Sequence, residues 1–264
     1  MHFQKILPNP LLQEYVQYFW VLEDFMENKE VKNFKILPDG IPALIFQDTP
    51  NHFINSTNLK VPKLYVYGQF TQYTDQRVEG GFRIIGAYLT PASLKTLFHI
   101  DAFELSNQNI PLEDLVSNSI LEALVNAISI EEKLQIISAF LLQRIQEVKY
   151  TNQKAQFASI LLQRGKTLKE VQQEMNMTER SLERLTKQHI GMSPKMFSRI
   201  MRFQHSLDLL RNIEIKNFTD LAYRQEYFDQ SHFIREFKEF TGYSPKHFLL
   251  RSEERLTNFP EWKK

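Results

Sequence analysis

Residues 178–197 have the sequence TERSLERLTKQHIGMSPKMF, and residues 229–248 have the sequence DQSHFIREFKEFTGYSPKHF. Placed over one another with an offset of 51 residues, the two stretches are identical at seven of twenty positions. The identical pairs are Arg184/Arg235, Lys187/Lys238, Gly191/Gly242, Ser193/Ser244, Pro194/Pro245, Lys195/Lys246 and Phe197/Phe248. Two copies are too few for a solenoid, so this pattern indicates a duplicated small helical unit.

Each copy predicts a helix–turn–helix. A short amphipathic helix, 168–175 or 218–225, precedes a tight turn. The second helix then begins after Thr178 or Asp229, which are residues that cap helix N-termini. It ends at a glycine suited to a left-handed cap, and the proline that follows prevents its continuation. The half of the chain after residue 155 is therefore predicted to be all-α.

The second helix of each unit has a polar, basic face opposite its apolar face. These faces consist of Arg180, Glu183, Arg184 and Lys187 in the first unit, and of Gln230, Ser231, Arg235 and Lys238 in the second. In a DNA major groove, Arg can bind guanine and Gln can bind adenine with two hydrogen bonds, whereas Lys more often meets phosphate. The alternative is that both faces are merely solvated. Because Arg and Lys recur at the same positions in both units, DNA contact is favoured.

The second unit resembles a known family. Residues 228–238 (FDQSHFIREFK) and 241–245 (TGYSP) closely resemble the signature of AraC/XylS transcription factors, and residues 191–194 (GMSP) resemble the end of that family's first helix–turn–helix. The resemblance covers about 155–252. It implies two helix–turn–helix units joined by a linker helix over about 194–211, with one helix in each of two successive major grooves. The reading residues that it implies are Arg180, Glu183 and Arg184, then Gln230, His232 and Arg235.

Four positions depart from the family pattern. Asn176 and Glu226 stand in the turns, where members of the family often have glycine, and a glutamate in a left-handed conformation would cost about 1 kcal/mol. In the first unit, Gln172 replaces the usual small residue and Thr186 the usual phenylalanine. The first unit is therefore the less typical of the two.

The first 90 residues favour strands. Short β-branched and aromatic runs alternate with turn residues, at 34–37, 43–46, 61–67 and 82–89, while the spacing of apolar residues in 11–20 predicts a helix. From Pro91 the pattern becomes helical, with the longest helix over 130–148. An α+β domain over 1–150 and a double helix–turn–helix domain over 155–255 are predicted, with a polar joint at 150–154.

The N-terminal half has a weaker family likeness. Residues 36–40 (ILPDG), 66–69 (VYGQ) and 82–87 (FRIIGA) resemble an N-terminal domain attached to many of these regulators. The resemblance implies a divergent sensor-type β-barrel followed by helices, which serves effector sensing, dimerisation or both. The helix over 130–148 would form a dimer seam or pack on its own domain. The partners expected are therefore double-stranded DNA, a small-molecule effector of unknown identity and a second copy of the chain.

Charge and cysteine content exclude several classes of protein. Residues 1–150 hold 12 Lys and Arg against 17 Asp and Glu, whereas residues 151–264 hold 20 against 14, so the net charge of +1 hides an acidic half and a basic half. Such asymmetry is a hint of one nucleic-acid-binding module. The absence of cysteine excludes a disulfide scaffold and a thiol nucleophile, including that of a DNA-repair methyltransferase, which is sometimes fused to this DNA-binding module.

No catalytic or cofactor pattern is present. The seven histidines lie too far apart in sequence for a local metal site, and the glycines form no nucleotide-binding fingerprint. We therefore expect no enzyme activity, no cofactor and no metal. With no apolar run of membrane-spanning length and no evident signal peptide, a cytoplasmic location is expected.

Two features of the N-terminal half allow alternatives. Asp39 beside Gly40 is interpreted first as turn chemistry and second as a ligand contact. The aromatic residues would line an apolar pocket or, as the favoured alternative, fill a β-core; they are Tyr65, Tyr67, Phe70, Tyr73 and Tyr88. Taken together, the sequence predicts a sequence-specific DNA-binding transcriptional regulator of the AraC/XylS type, modulated through its N-terminal domain.

Overall fold

The computed structural model describes residues 1–25, 30–49, 52–147, 153–211 and 218–263. Within these residues, eleven strands form two antiparallel sheets. The strands are β1 (His2–Ile6), β2 (Val16–Asp24), β3 (Val31–Ile36), β4 (Ala43–Gln47), β5 (Ile54–Asn55), β6 (Leu64–Tyr67), β7 (Thr74–Glu79), β8 (Phe82–Leu89), β9 (Asn109–Pro111), β10 (Ser252–Glu253) and β11 (Glu261–Trp262).

The two sheets do not close into a barrel. The first sheet has the strand order β1-β2-β8-β4-β6-β9, and the second has the order β10-β11-β3-β7-β5. Among the described residues no ladder joins one sheet to the other. The α+β class predicted for the N-terminal half is confirmed, but its β part is a pair of facing sheets rather than the barrel that the resemblance implies.

The first sheet is buried on both faces, which explains one wrong prediction. In β2, Phe19 and Val21 point into a core shared with helices, whereas Trp20 and Leu22 point into a core shared with the second sheet. The helix predicted over 11–20 is a single 3₁₀ turn, Pro10–Leu12, followed by β2. Apolar residues on both faces of a strand also produce matches to helical spacing, which explains the wrong prediction. Pairing of β2 with β1 and β8 decides the conformation of this segment.

Four helices follow the N-terminal strands: α1 (Ser93–Phe98), α2 (Leu112–Leu115), α3 (Leu121–Asn126) and α4 (Ile130–Gln146). Ile137 and Leu141 of α4 are fully buried against the first sheet, so this helix packs on its own domain. Val148, where the helix was predicted to end, and most of the predicted joint lie outside the described residues. Among the described helices of the chain, none combines the length and apolar character that a membrane span requires.

The C-terminal half is helical as predicted up to residue 251. Its helices are α5 (Gln153–Gln163), α6 (Leu168–Met175), α7 (Glu179–Ile190), α8 (Pro194–Arg211), α9 (Phe218–Arg224), α10 (Gln230–Thr241) and α11 (Pro245–Arg251). Thr178 and Asp229 cap α7 and α10 with their side chains, and Gly191 and Gly242 end them in left-handed conformations. The linker helix α8 coincides with the predicted 194–211. The two helix–turn–helix units are therefore confirmed in position and construction.

The prediction of helices alone after residue 155 is wrong for the end of the chain. Strands β10 and β11 follow α11, and Glu261 of β11 pairs with Phe34 of β3. The partner of this segment lies in the N-terminal domain, so no local pattern in residues 252–262 indicates the pairing. The helical half of the protein thus contributes strands to a sheet of the other half.

In the turn of each helix–turn–helix unit, a residue other than glycine adopts the left-handed backbone conformation. Asn176 has φ +50° and Glu226 has φ +54°. Asparagine tolerates this conformation because its short side chain can bond locally, whereas glutamate is strained in it. The conformational cost expected at residue 226 from the sequence is therefore present in the fold.

This strain gives a stability prediction. Glu226→Gly should raise the free energy of unfolding by about 0.5–1 kcal/mol, because glycine adopts positive φ without a Cβ clash. Glu226→Ala is the matched control and should give no such gain, since alanine retains the Cβ. Chemical denaturation of the three proteins measures the difference, and equal gains for Gly and Ala would assign the effect to the lost carboxylate instead.

Candidate nucleic-acid interface

The first group of predicted DNA-binding residues lies along α7. Arg180, Arg184 and Lys187 are exposed, and Glu183 is half-buried. Lys187 Nζ lies 3.1 Å from Glu183 Oε1, an ion pair one helical turn apart. Such an exposed pair contributes little to stability and separates at small cost when a phosphate competes for the lysine. The helix thus presents the exposed guanidinium groups of Arg180 and Arg184. It also presents the Lys187 ammonium, which can exchange Glu183 for a phosphate.

The second group lies along α10. Ser231, Arg235 and Lys238 are exposed, whereas Gln230 and His232 are half-buried. Gln230 Oε1 accepts a hydrogen bond from the Thr219 hydroxyl at 2.7 Å, and His232 Nδ1 accepts from the backbone N–H of residue 228 at 3.4 Å. Both residues therefore keep part of their hydrogen-bonding capacity for a further partner. Arg235 and Lys238 occupy the positions on α10 that Arg184 and Lys187 occupy on α7.

An ion cluster that the sequence interpretation missed holds α10 to α8. Glu236 is 3% exposed, and its carboxylate accepts hydrogen bonds from Arg199 Nε at 2.9 Å and from an Arg202 amino group at 3.0 Å. The Arg202 guanidinium also lies over the Tyr227 ring, 4.5 Å from its centroid. Removing one member of such a cluster leaves a buried charge without compensation. No local pattern in the sequence distinguishes Glu236 from a surface glutamate, because its two partners lie on another helix.

Open clefts lie beside both helices. The cleft at α7 has a volume of about 720 Å³, and its walls include all four predicted residues of that helix. The cleft at α10 has a volume of about 650 Å³ and is lined by His232 and Arg235, together with Arg199 and Arg202. Gln230, Ser231 and Lys238 line neither of these clefts. The predicted residues therefore form two separate basic surfaces, one on each unit.

The N-terminal domain borders the first of these surfaces. Asp101 and Phe103, in and beside the 3₁₀ turn Ala102–Leu105, form the wall of the α7 cleft opposite the basic residues. The Ser106 hydroxyl donates a hydrogen bond of 2.7 Å to the carbonyl oxygen of Gly191, at the end of α7. A Cβ at residue 191 would approach the Ala102 carbonyl to 3.0 Å, so the contact is close. Helix α7 is thus packed directly against the other domain.

His189 is buried in this contact between α7 and the N-terminal domain. It is 7% exposed, and burial lowers its pKa to about 4, with the nearby Lys95 acting in the same direction. The imidazole is therefore neutral at physiological pH. Protonating it in place would require a charge at a desolvated position.

The aromatic residues singled out from the sequence divide into two sets. Tyr65, Tyr67 and Tyr88 line a cavity of about 40 Å³ between the two sheets, and Asp39 lines the same cavity. Phe70 and Tyr73 do not line it: Phe70 stacks on Tyr67 at 4.8 Å, and Tyr73 packs beside the helical core. Most of the aromatic surface is core, as the favoured alternative predicts, but a small cavity remains within it.

Asp39 stabilises the turn at residues 39–41, as predicted, and also contacts Asn258 in the C-terminal half. Its carboxylate accepts a hydrogen bond from the Ile41 N–H at 2.9 Å and another from Asn258 Nδ2 at 3.3 Å. Burial raises the pKa of Asp39 to about 7, although these hydrogen bonds oppose the shift. In the described part of the chain, no group of three or more His, Asp or Glu side chains is arranged to hold a metal ion.

Two families match the sequence. Residues 4–111 match a domain of unknown function (DUF6597), and residues 156–251 match a helix-turn-helix domain of the AraC type. The second match spans both units described above. No curated protein sequence gives a significant match.

Several solved structures are similar to the chain. ToxT from Vibrio cholerae is 14% identical, with a TM-score of 0.46, over 88% of this chain and 98% of ToxT. The C-terminal domain of AraT, a response regulator from Geobacillus stearothermophilus, is 25% identical, with a TM-score of 0.36. That match covers 40% of this chain and 92% of the AraT domain.

The burial of His189 makes stability depend on pH. Its folded pKa of about 4 lies below its ordinary value of 6.5, so the unfolded chain binds more protons between these values. This histidine therefore lowers the free energy of unfolding as the pH falls from 6.5 towards 4, with a slope of at most about 1.4 kcal/mol per pH unit. In His189→Gln this contribution should vanish.

The measurement is the melting temperature between pH 7 and pH 4 for the wild type, His189→Gln and the control His2→Gln. His2 is exposed, so its replacement should leave the wild-type slope unchanged. Asp39 contributes with the opposite sign over an overlapping range, but it does so equally in all three proteins. An identical pH slope in His189→Gln and wild type would contradict the prediction.

Proposed function

Because the chain carries an AraC-type helix-turn-helix domain over residues 156–251 and an N-terminal domain of unknown function over residues 4–111, we propose that it is a sequence-specific DNA-binding transcription regulator. The observation that carries the proposal is the equivalence of α7 and α10. Each is a capped helix of 12 residues that buries one face and exposes an arginine and a lysine at equivalent positions. A second helix of this kind is the element that enters the major groove in helix–turn–helix proteins.

The exposed side chains divide into two roles. Arg180, Arg184 and Arg235 can each bind O6 and N7 of a guanine, and Gln230 can bind an adenine edge. Lys187 and Lys238, near the ends of their helices, are assigned to phosphate. Glu183 can accept from a cytosine amino group, and Ser231 and His232 complete the polar face of α10. On α10, Arg235 Nε donates a hydrogen bond of 3.3 Å to the Ser231 carbonyl oxygen, so the two amino groups of its guanidinium are the donors that can bind a base.

We further propose that the N-terminal domain modulates DNA binding. We assign the sensor to a domain over 1–150 and the DNA-reading part to a domain over 155–255. The Ser106–Gly191 hydrogen bond supports communication between them, because it joins the N-terminal domain to α7. A signal at the N-terminal domain changes DNA affinity only if it binds two arrangements of this contact with different affinity. A second copy of the chain and a small effector are both compatible with that requirement.

The deciding experiment is selection of bound DNA from a random pool by the full-length protein. The proposal expects enrichment of a site with two blocks about one helical turn apart, one for each unit. DNase footprinting on an enriched site should then give a bounded footprint at a salt concentration that removes binding to random DNA. A uniform footprint without enrichment would instead identify a nonspecific DNA-organising protein and overturn the proposal.

Arg235→Ala should relax sequence preference. Loss of a two-bond contact to one base is expected to cost about 1–3 kcal/mol at the selected site and much less on random DNA. Arg77→Ala, at an exposed position of strand β7 in the N-terminal domain, is the matched control and should leave both affinities unchanged. Titration of the three proteins with both DNAs measures the ratio of affinities. An equal loss on specific and random DNA would exclude base reading by Arg235.

Lys238→Ala should weaken binding to all DNA sequences alike. One lost phosphate contact reduces the slope of log affinity against log salt concentration by about one. Lys60→Ala provides the matched control, because Lys60 is exposed on the N-terminal domain. Affinities measured over a range of salt concentrations yield the slopes, and a slope equal to that of the wild type would count against a phosphate contact.

A further inference from the structure

The last described residues of the chain return to the N-terminal domain. Residues 252–262, called here the C-terminal strap, begin directly after α11 and contain β10 and β11. The backbone N–H groups of Lys35 and Leu37 donate to the carbonyl oxygens of Pro260 (3.0 Å) and Asn258 (2.9 Å). The strap is therefore held by backbone hydrogen bonds as an added edge of the second sheet.

The strap closes the cavity between the two sheets. Leu256, Asn258 and Phe259 form part of the cavity wall, and strands of both sheets form the rest together with the loop residues Asp39 and Phe53. The Phe259 ring lies parallel to that of Phe34, with centroids 4.6 Å apart and planes 3° apart. Phe259 is only 8% exposed. An aromatic ring from the helical half of the protein thus occupies space inside the N-terminal core.

Three polar groups that line this cavity have no hydrogen-bond partner among the described residues. They are Trp20 Nε1, Tyr67 Oη and Gln76 Nε2. Trp20 is 1% exposed, and Tyr67 and Gln76 are each 4% exposed. A buried donor without a partner costs about 1–3 kcal/mol. Three such groups around one cavity suit a guest that accepts hydrogen bonds.

Asp39 does not offer a free charge to a cationic ligand. Its two oxygens already accept from the Ile41 N–H and from Asn258 Nδ2, which belongs to the strap. Burial, which raises the pKa of Asp39 to about 7, also disfavours its charged form. The unmet hydrogen bonds of the cavity are thus on the donor side, and Asp39 fastens the strap to the cavity wall.

The cavity is too small for a ring in the arrangement that the structure shows. Its volume is about 40 Å³, whereas a cavity that binds benzene is on the order of 150 Å³. Moving Phe259 out would supply the missing space, at a position where Phe34 already provides a stacking face. The aromatic rings that surround this position suit a flat guest.

We propose that this cavity is a binding site for a small aromatic molecule that carries a hydrogen-bond acceptor, and that the molecule enters by displacing Phe259 and the strap. The guest ring stacks on Phe34, and its acceptor takes the hydrogen bonds of Trp20 Nε1 and Gln76 Nε2. Docking of the strap and binding of the ligand exclude one another. The apparent affinity of the ligand is therefore reduced by the fraction of molecules whose strap is docked.

Release of the strap changes the contacts that hold the second helix–turn–helix unit to the N-terminal domain. Strap residue Glu254 accepts a charge-assisted hydrogen bond from Arg211, at the end of α8, and the Ser252 hydroxyl donates to the Phe248 carbonyl of α11 at 2.7 Å. Displacement of the strap breaks the connection of α8 and α11 to the second sheet, because both helices reach that sheet through strap residues. This consequence for DNA rests on the proposed function, whereas binding of the ligand does not.

The test uses benzamide as the probe, with the full-length protein and without DNA. The chain has two tryptophans, Trp20 in the cavity and Trp262 in the strap, so their indole N–H signals in ¹H–¹⁵N spectra report the two events separately. Benzamide should shift both signals saturably and increase deuterium exchange of the Leu37 amide, which donates to the strap. Toluene lacks the acceptor and cyclohexanecarboxamide lacks the aromatic ring, so each should bind at least about tenfold more weakly.

The matched variants are Phe259→Ala and Phe157→Ala. Phe259→Ala should bind benzamide about tenfold more tightly or better, because no ring has to be displaced. Phe157→Ala removes an exposed phenylalanine of α5 and should bind as the wild type does. If Phe259→Ala does not fold, deuterium exchange of the Leu37 amide in the wild type tests displacement of the strap instead. Benzamide should increase this exchange.

Three results would overturn the proposal. They are binding of benzamide to neither wild type nor Phe259→Ala, equal affinity of both, and a shift of Trp20 that leaves Trp262 and Leu37 unchanged. The first would leave a cavity that holds water alone. None of them bears on DNA binding, which the selection experiment tests independently.

Discussion

The ladder between β11 and β3, with the stacking of Phe259 on Phe34, joins the N-terminal and C-terminal halves of the chain in one sheet. Without this contact, the second sheet would end at β3, and the aromatic core between the sheets would lie open to solvent on one side. The linker helix α8 adds to the connection, because Gln204 donates a hydrogen bond of 2.6 Å to the Pro38 carbonyl. The two halves of the protein therefore stabilise each other, and a change at the strap alters the packing of both halves.

The parts of the fold that depend on neighbouring residues could be predicted from the sequence. The limits of α8, the capping of α7 by Thr178 and the left-handed ends at Gly191 and Gly242 all follow from hydrogen bonds within a few residues. The positions of the candidate residues on the outer faces of α7 and α10 follow for the same reason, since a helix with known ends and a known buried face leaves one face exposed; their contact with DNA stays a prediction.

The parts that depend on distant residues could not be predicted. Strand β2 has apolar residues on both faces, so its pattern carried no clear period of two, and its partners β1 and β8 decided its conformation. The strap pairs with β3, a strand more than 200 residues earlier in the chain. Glu236 was indistinguishable from a surface glutamate until Arg199 and Arg202 were seen to surround it. In each case the deciding interaction is absent from the local sequence.

The N-terminal domain contacts the two helix–turn–helix units by different means, and this difference limits how a signal can act. At α7 it packs rigidly through Ser106 and Gly191, beside the very cleft that holds Arg180 and Arg184. At α11 it acts through the strap, whose docking competes with occupation of a cavity. If the cavity binds a ligand as proposed, displacement of the strap changes the contacts of the second unit, whereas the Ser106–Gly191 hydrogen bond at the first unit is left in place. Under the proposed function the two units would meet grooves about one helical turn apart. A change in the placement of one unit relative to the other would then be sufficient to alter affinity for a paired site, with the DNA-contacting side chains of both helices unchanged.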